Sequence, residues 1–324
     1  MSVTSGGTSL AERPDSRALP GGWAGALAWS DGVAWVAWTA CHDPEPALLT
    51  YARQEWPLRP GRTLTEWRRR SADTRFMLSL ARLDDLAAPI GRELTSSPHV
   101  IEGPALATLP EQTTPAVIWA ERQDDQCRLM AAIAGGRPEV IHAAAGAILV
   151  PQAAVDHAGR LWAVWQQWPE AGSSPAARPR IVAAHRPLAA TALDPSSWST
   201  PTSLSPAEQS AWSPSLSAAP DGALWCTWAA WDGTAYQVFV CHAPAGATWG
   251  EPALVLPAPT GSFHLTPAIA VAGGRAWVVW SRTTRWGQLN HRFNHLRSLH
   301  AAIVTADKTG DLNVEPAPGQ PALG

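Results

Sequence analysis

Gly222-Ala223-Leu224-Trp225-Cys226-Thr227-Trp228 carries the skeleton Gly-x-x-Trp-x-x-Trp, and the chain repeats it. The other full copies are Gly32/Trp35/Trp38, Gly159/Trp162/Trp165 and Gly274/Trp277/Trp280. A degenerate copy keeps Trp119, with Thr113 and Ala116 at the other two places. Such recurrence marks a repeat architecture, in which one unit cannot bury its apolar surface alone and stacks on its neighbours. Two tryptophans three apart on a strand point to opposite faces, so both faces need cover. On a helix they would share one face. The β-branched neighbours Val33, Val36, Val164, Val278 and Val279, in short runs bounded by turns, favour the strand. Each copy reads as the central strand of a small sheet held between two other sheets.

A second landmark precedes each motif: Gly25-Ala-Leu-Ala28, Pro104-Ala-Leu-Ala107, Pro151-Gln-Ala-Ala154, Pro214-Ser-Leu-Ser217 and Pro267-Ala-Ile-Ala270. It stands 10, 12, 11, 11 and 10 residues before the first tryptophan position. A proline suits the first residue of a strand, where no ladder donor is lost. The turn between the landmarks is built on Asp31-Gly32, Asp221-Gly222 or Gly273-Gly274, the chemistry of a tight hairpin. Third strands are expected at Phe76 to Leu83, Cys127 to Ile133, Arg180 to Ala184, Tyr236 to His242 and Leu299 to Val304. Fourth strands are expected at Trp198 to Pro201, Trp249 to Pro252 and Leu312 to Pro316. Trp198 lies 27 residues before Trp225 and Trp249 lies 28 before Trp277, which sets the register of two consecutive units.

Units of four antiparallel strands set round an axis make a β-propeller. The expected fold is all-β, a propeller of five four-stranded blades over residues 21–316. The last motif position recurs at intervals of 81, 46, 63 and 52 residues, so the first blade holds an insertion, residues 41–74. Thr63-Leu-Thr-Glu66 within it is a capping box and predicts a short helix. The following Trp67-Arg68-Arg69-Arg70 reads as a solvated face. Residues 1–20 are expected to be flexible or to lend a closing strand near Thr8 to Pro14, and 317–324 to be a tail.

Composition limits the function classes. Of 324 residues, 46% are apolar and 16% charged, and the formal net charge is −3. A general nucleic-acid binder would show a basic footprint instead. There is no apolar run of signal-peptide or membrane-spanning length, so the expectation is a cytoplasmic protein, or an extracellular one if the chain is an excised domain. The four cysteines, Cys41, Cys127, Cys226 and Cys241, show no CxxC spacing and read as buried free thiols. Cys226 and Cys241 fall across a hairpin from each other, where one bridge fits if the compartment is oxidising.

The stretch Pro214-Ser-Leu-Ser-x-x-x-Asp221-Gly222-x-x-Trp225, with Tyr236 to Cys241 and Trp249-x-x-Pro252 downstream, resembles the repeats of sialidase-like, Asp-box propellers. The likeness spans most of residues 20 to 316 and is architectural. An Asp box is written Ser-x-Asp-x-Gly-x-x-Trp, whereas Asp31 and Asp221 directly precede the glycine and Asp156 stands three before it. Membership of such a hydrolase family would imply three converging arginines, a tyrosine nucleophile with a glutamate, and an acid/base aspartate. The chain has two tyrosines, Tyr51 in the insertion and Tyr236 in a strand, and no arginine motif near the first strand. Glycosidases with paired carboxylates across the axis would place acids just before the first strands. Those positions carry Glu102, Ile148, Trp212 and His264, so no catalytic set is assigned.

No metal or cofactor is assigned either. His291 and His295 would share a helical face, but with Asn290, Arg292 and Asn294 they read as a polar loop. His185 and His242 end equivalent third strands, which repeat geometry explains. The remaining candidate is a surface. Loops between second and third strands share a face with the connections between blades, and loops on a rigid scaffold carry function. That face receives Trp168, Trp231 and Trp286, with Trp56 from the insertion. Asp232, Arg282, Arg285, Trp212 and His264 fall near them. Tryptophan and arginine together suit a protein hot spot, and tryptophan beside hydrogen-bonding groups suits sugar rings. The expected function is a non-catalytic recognition or scaffold module engaging a protein partner through this face and the insertion. A glycan-binding lectin is the alternative, and a divergent sialidase-like glycoside hydrolase the third reading.

Overall fold

The computed structural model describes residues 22–42, 75–83, 92–97, 101–123, 126–170, 172–174, 177–188, 198–289, 292–307 and 310–318, without the side chains of 22–24, 41–42 and 284–297. These residues form five four-stranded antiparallel sheets, each from four consecutive strands. The first holds β1 (Gly22–Ser30), β2 (Val33–His42), β3 (Arg75–Arg82) and β4 (Arg92–Ser97). The second holds β5 (Ile101–Ala107), β6 (Ala116–Gln123), β7 (Gln126–Ala132) and β8 (Glu139–Ala144). The third holds β9 (Ile148–Val155), β10 (Arg160–Gln167), β11 (Arg180–Pro187) and β12 (Thr202–Ser203). The fourth holds β13 (Ser210–Ala218), β14 (Leu224–Trp231), β15 (Tyr236–Ala243) and β16 (Ala253–Leu254). The fifth holds β17 (Ser262–Ala272), β18 (Arg275–Leu289), β19 (Arg292–Ala306) and β20 (Leu312–Pro316). The chain is a β-propeller. The first strands of successive sheets touch, so β1, β5, β9, β13 and β17 lie innermost.

The tryptophan motif joins one blade to the next. Trp165 faces back into a core shared with Ile118, Leu129 and Ile141 of the second sheet. Trp228 faces back onto Val164 and Ile181 of the third, and Trp280 onto Val238 and Val240 of the fourth. Trp119 faces Phe76 and Leu78 of the first. The other tryptophan faces forward: Trp162 packs with Trp228, Trp225 with Trp280, and Trp35 against the core containing Trp119. Burying an aromatic of this size contributes a few kcal/mol, and truncating one leaves a cavity at a cost of roughly 3–5 kcal/mol. A buried ion pair of Arg186 with Glu139, which also accepts from Trp198 Nε1 at 3.0 Å, ties the third sheet to the second.

The prolines are not the first residues of their strands. Each sits inside an innermost strand at a break in register: Glu102/Ala105 in β5, Trp212/Ser215 in β13 and Leu265/Ala268 in β17, with a matching break opposite Val164/Gln166 in β9. The residue before three of them is left-handed: Val150 at φ 49°, Ser213 at 53° and Thr266 at 48°. For β-branched Val150 and Thr266 this conformation costs roughly 1–2 kcal/mol each. A bulge accepts the missing proline donor and bends the strand. Above it the chain resumes pairing, and that short extension carries Glu102, Trp212 and His264 opposite Ala120, Ala229 and Arg282.

Other expectations shift in detail. β12 and β16 begin just after the Trp198 and Trp249 segments, which instead lie against the third strands through Ser199 N–H to His185 O (2.7 Å) and Gly250 N–H to His242 O (2.9 Å). The outer strands β4 and β8 carried no repeat signal. The expected polar loop around His295 is strand: β18 and β19 run 15 residues each and pair Arg285 with His295. His291 lies outside the described residues, as do residues 1–20, the helix at Thr63 to Glu66, Tyr51, Trp56 and the tail from 319. Ala317, placed in the tail, still donates to Ala301 O at 3.0 Å. β2 continues to His42, so the long connection of the first blade covers 43–74. Cys226 and Cys241 stand directly opposite each other as free buried thiols.

The motif glycines serve two ends. Gly32, Gly159, Gly222 and Gly274 all have left-handed φ, between 69° and 86°. Only at Gly222 is space also limiting: an added Cβ would stand 1.9 Å from His157 Cβ of the third sheet, whereas one at Gly159 meets nothing within 4 Å. Gly159→Ala is therefore expected to cost about 1 kcal/mol of backbone strain, and Gly222→Ala roughly 3 kcal/mol or more because the two turns must part. Urea midpoints of the two variants check the difference.

Candidate functional site

The extensions above the bulges, the ends of the second strands and the starts of the third strands meet at one end of the ring. There the fourth and fifth blades bring four aromatic side chains together. Trp231 ends β14 and Tyr236 begins β15, so they face each other on the last rung of their hairpin. Their rings are 5.0 Å apart at 60°. Trp212, on the extension of β13, lies 5.3 Å from Tyr236, and Phe263 of β17 closes the group at 5.7 Å and 71°. All four are half-buried. Edge-on and tilted contacts of this kind favour one rigid arrangement.

Asp232 fixes the turn beneath Trp231. Its Oδ1 accepts from Thr234 N–H (2.8 Å), Thr234 Oγ1 (2.8 Å) and Ala235 N–H (2.9 Å). Its Oδ2 accepts from Gln237 Nε2 at 3.1 Å, and Gln237 Oε1 in turn accepts from Ala258 N–H at 2.7 Å. Partial burial alone would push the carboxyl up, but these donors outweigh it and hold the pKa at about 2. The carboxylate is thus exposed, charged and immobile.

Beside the aromatic group lies a set of nitrogens with incomplete partners. His264 is fully buried, and neither ring nitrogen makes a well-formed hydrogen bond, the Leu256 carbonyl standing near but poorly placed. Its ring is 5.3 Å from Trp280 and 6.3 Å from His300. Arg282, paired with it across β17 and β18, has a buried Nε without a partner. His300 shares a hydrogen bond of 2.9 Å with Ser298 Oγ. Burial, then the fields of His300 and Arg282, push the His264 pKa down to about 4, while the nearby Leu256 carbonyl pulls weakly the other way.

The third blade contributes Trp168, half-buried, with an indole N–H buried and unpaired. Its backbone is clamped: its N–H donates to Ala147 O at 2.8 Å, its carbonyl accepts from Gln167 Nε2 at 3.1 Å, and that oxygen stands where a Cβ on Gly146 would come within 1.9 Å. Gln166 reaches across to accept from Ser213 N–H at 3.2 Å, holding the left-handed residue of the next blade. Burial raises the pKa of Glu102 on β5, against a weaker pull from the Gly103 backbone.

Of the residues expected at the site, the structure brings Trp212, Trp231 and Asp232 together and sets His264 and Arg282 beside them on the next blade. Trp168 stands on the preceding blade, without a ring contact to the group among the described residues. Arg285 and Trp286 lie on β18 opposite His295 and Asn294, with their side chains outside the described set, and Trp56 is outside it altogether. Sequence reasoning missed Tyr236 and Phe263. Tyr236 was set aside as a strand residue, yet its position five after Trp231 across a tight turn is what places it on the same rung. Phe263 stands next to His264 and had no repeat partner to draw attention to it. Among the described residues, no group of three or more His, Cys, Asp or Glu is placed to hold a metal ion, and no helix is long and apolar enough to cross a membrane.

No family model and no curated protein matches the chain. Solved structures do. The polysaccharide lyase Uly1 superposes with a TM-score of 0.50 at 11% identity, over 94% of this chain and 76% of that one. The α-L-arabinofuranosidase from Lactobacillus brevis gives a TM-score of 0.41 at 14% identity, over 77% of this chain and 90% of that one. The sialidase Hz136 gives 0.33 at 14% identity, over 63% and 45%. At 11% identity the likeness to Uly1 is one of fold.

The depressed His264 sets a pH dependence. Its folded pKa of about 4 lies below the ordinary 6.5, so the unfolded chain binds the proton first as pH falls. Stability from this group is complete above about pH 6.5 and is lost on the way down to about pH 4, by on the order of 3 kcal/mol. His264→Leu is expected to flatten that segment of the stability–pH curve, measured by urea unfolding at pH 7, 5.5 and 4.

Proposed function

We propose that this protein is a non-catalytic recognition module that binds a glycan at the aromatic end of the ring. The carrying observation is the half-buried group Trp212, Trp231, Tyr236 and Phe263, immobilised by its own ring contacts and by the Asp232–Gln237 network. A rigid site loses less entropy when a ligand binds. The same end holds buried donors without partners, the Trp168 indole N–H and Arg282 Nε, and the unpaired ring of His264. None of these atoms is open to solvent, so the polar group a ligand can reach here is the exposed Asp232 carboxylate, whose Oδ2 accepts from Gln237 and has room to accept from a sugar hydroxyl. A sugar combines such hydroxyls with apolar C–H faces that stack on aromatic rings. This favours a glycan over the protein partner that the sequence reading of the tryptophan and arginine face put first.

A second reading is supported by one feature. β18 and β19 are each 15 residues long, against 8 for β14 and β15, so their hairpin projects beyond the sheet at this same end. A projecting arm suits a protein partner. A glycan array probed with wild type, Trp231→Ala and Tyr236→Ala separates the two. Retention of a defined glycan class by wild type, weakened about tenfold in each folded variant, is expected from the loss of one aromatic contact. No retained glycan, with a protein captured by wild type and released by removal of the 284–297 hairpin tip, would replace the glycan reading with the protein one.

A further inference from the structure

The interfaces between blades differ at the end opposite the aromatic group, where the tight first hairpins lie. Between the third and fourth sheets this end is closed. The turn at Gly222 touches His157, and Trp249 sets its ring on Trp162 at 5.7 Å and 90°. Beneath it Trp162 stacks on His185 at 4.4 Å. Between the fourth and fifth sheets the counterpart pair is present, with Trp225 and His242 at 4.3 Å. The closing elements are not. A Cβ on Gly274 would meet nothing within 4 Å, and the residues along β20 that face this interface are Leu312 and Val314 rather than an indole. What remains is a cleft of about 190 Å³. Trp225 and His242 form its floor, Val271 and Ala306 its walls, and Asp221 and Asp307 its acidic rim.

We propose that this cleft binds the side chain of a tryptophan on a partner protein, presented next to a basic residue. The repeat itself displays the complement: one interface away, Trp249 stands edge-on to the equivalent Trp–His pair. The space accommodates an indole. His242 Nδ1 is buried without a partner, and burial keeps this imidazole neutral against the opposing field of Asp221. What the cleft offers an indole is ring contact rather than that inaccessible nitrogen, as next door, where Trp249 stands against its Trp–His pair with an indole N–H that has no partner. Two carboxylates at the rim attract a cation held beside the ring and repel an anion. The site lies away from the aromatic end and does not rest on the glycan reading.

Ligand-observed NMR on the full chain tests it with tryptamine, tryptophol and indole-3-propionate, which present one indole with a positive, neutral or negative tail. Tryptamine is expected to bind, with indole-3-propionate about tenfold weaker or more. Ala306→Trp fills the cleft from within, as Trp249 does next door, and should abolish tryptamine binding while leaving glycan retention unchanged. Asp221→Asn, which keeps the turn acceptor, should reduce the preference for tryptamine over tryptophol without loss of folding. Tryptamine binding that survives Ala306→Trp, an equal affinity for all three probes, or no binding of any probe to wild type would overturn the proposal.

Discussion

In the third and fourth blades, tryptophans three apart on the central strand leave no free face: one ring is committed to the sheet before and the other to the sheet after. At the two end blades the rule lapses, with Trp277 exposed on the fifth and Trp38 packed only within the first. Everything else in the molecule follows from keeping those rings stacked. The sheets are small, because the outer strands add little once both faces of the second strand are covered: β12 and β16 are two residues long. The charged residues drawn inside are the ones that serve this stacking, as Arg186 does by pairing with Glu139 across two sheets.

The second constraint is the left-handed residue before the strand proline. A straight innermost strand would end where the proline removes a ladder donor. The bulge at Val150, Ser213 and Thr266 accepts that loss and lets the strand continue. Strain in the backbone at these points is offset by the pairing regained above them, and by contacts such as Gln166 to Ser213. The residues placed on the extensions, among them Trp212 and His264, are therefore held by the scaffold rather than by mobile loops. A precise aromatic group is a consequence of where the strain was put.

Repetition also makes departures informative. Three of the interfaces are variants of one contact, yet the indole of Trp198 or Trp249 that seals two of them has no counterpart on β20. The same holds for the glycines: equivalent in the motif and both left-handed, Gly222 and Gly274 differ in what stands beside them. Neither difference shows in the motif, because the motif records what a residue needs from its own backbone and not what the next blade brings to it.

The repeat, the all-β class and the five units are legible in the chain alone, whereas the cover expected on both strand faces is missing from the fifth blade, where Trp277 and Val279 are exposed. The legible part follows from side-chain alternation and turn chemistry, which act over a few residues. The sequence also put Trp212, Trp231, Asp232, His264 and Arg282 at one end, since strand direction fixes which end a residue occupies. Packing between blades is what completes the aromatic group with Tyr236 and Phe263 and leaves Trp168 apart on its own blade. Strand register alone shows that the prolines mark bulges and not strand starts. Contacts between rings on different blades depend on how far each sheet is turned against the next, and no local pattern carries that angle.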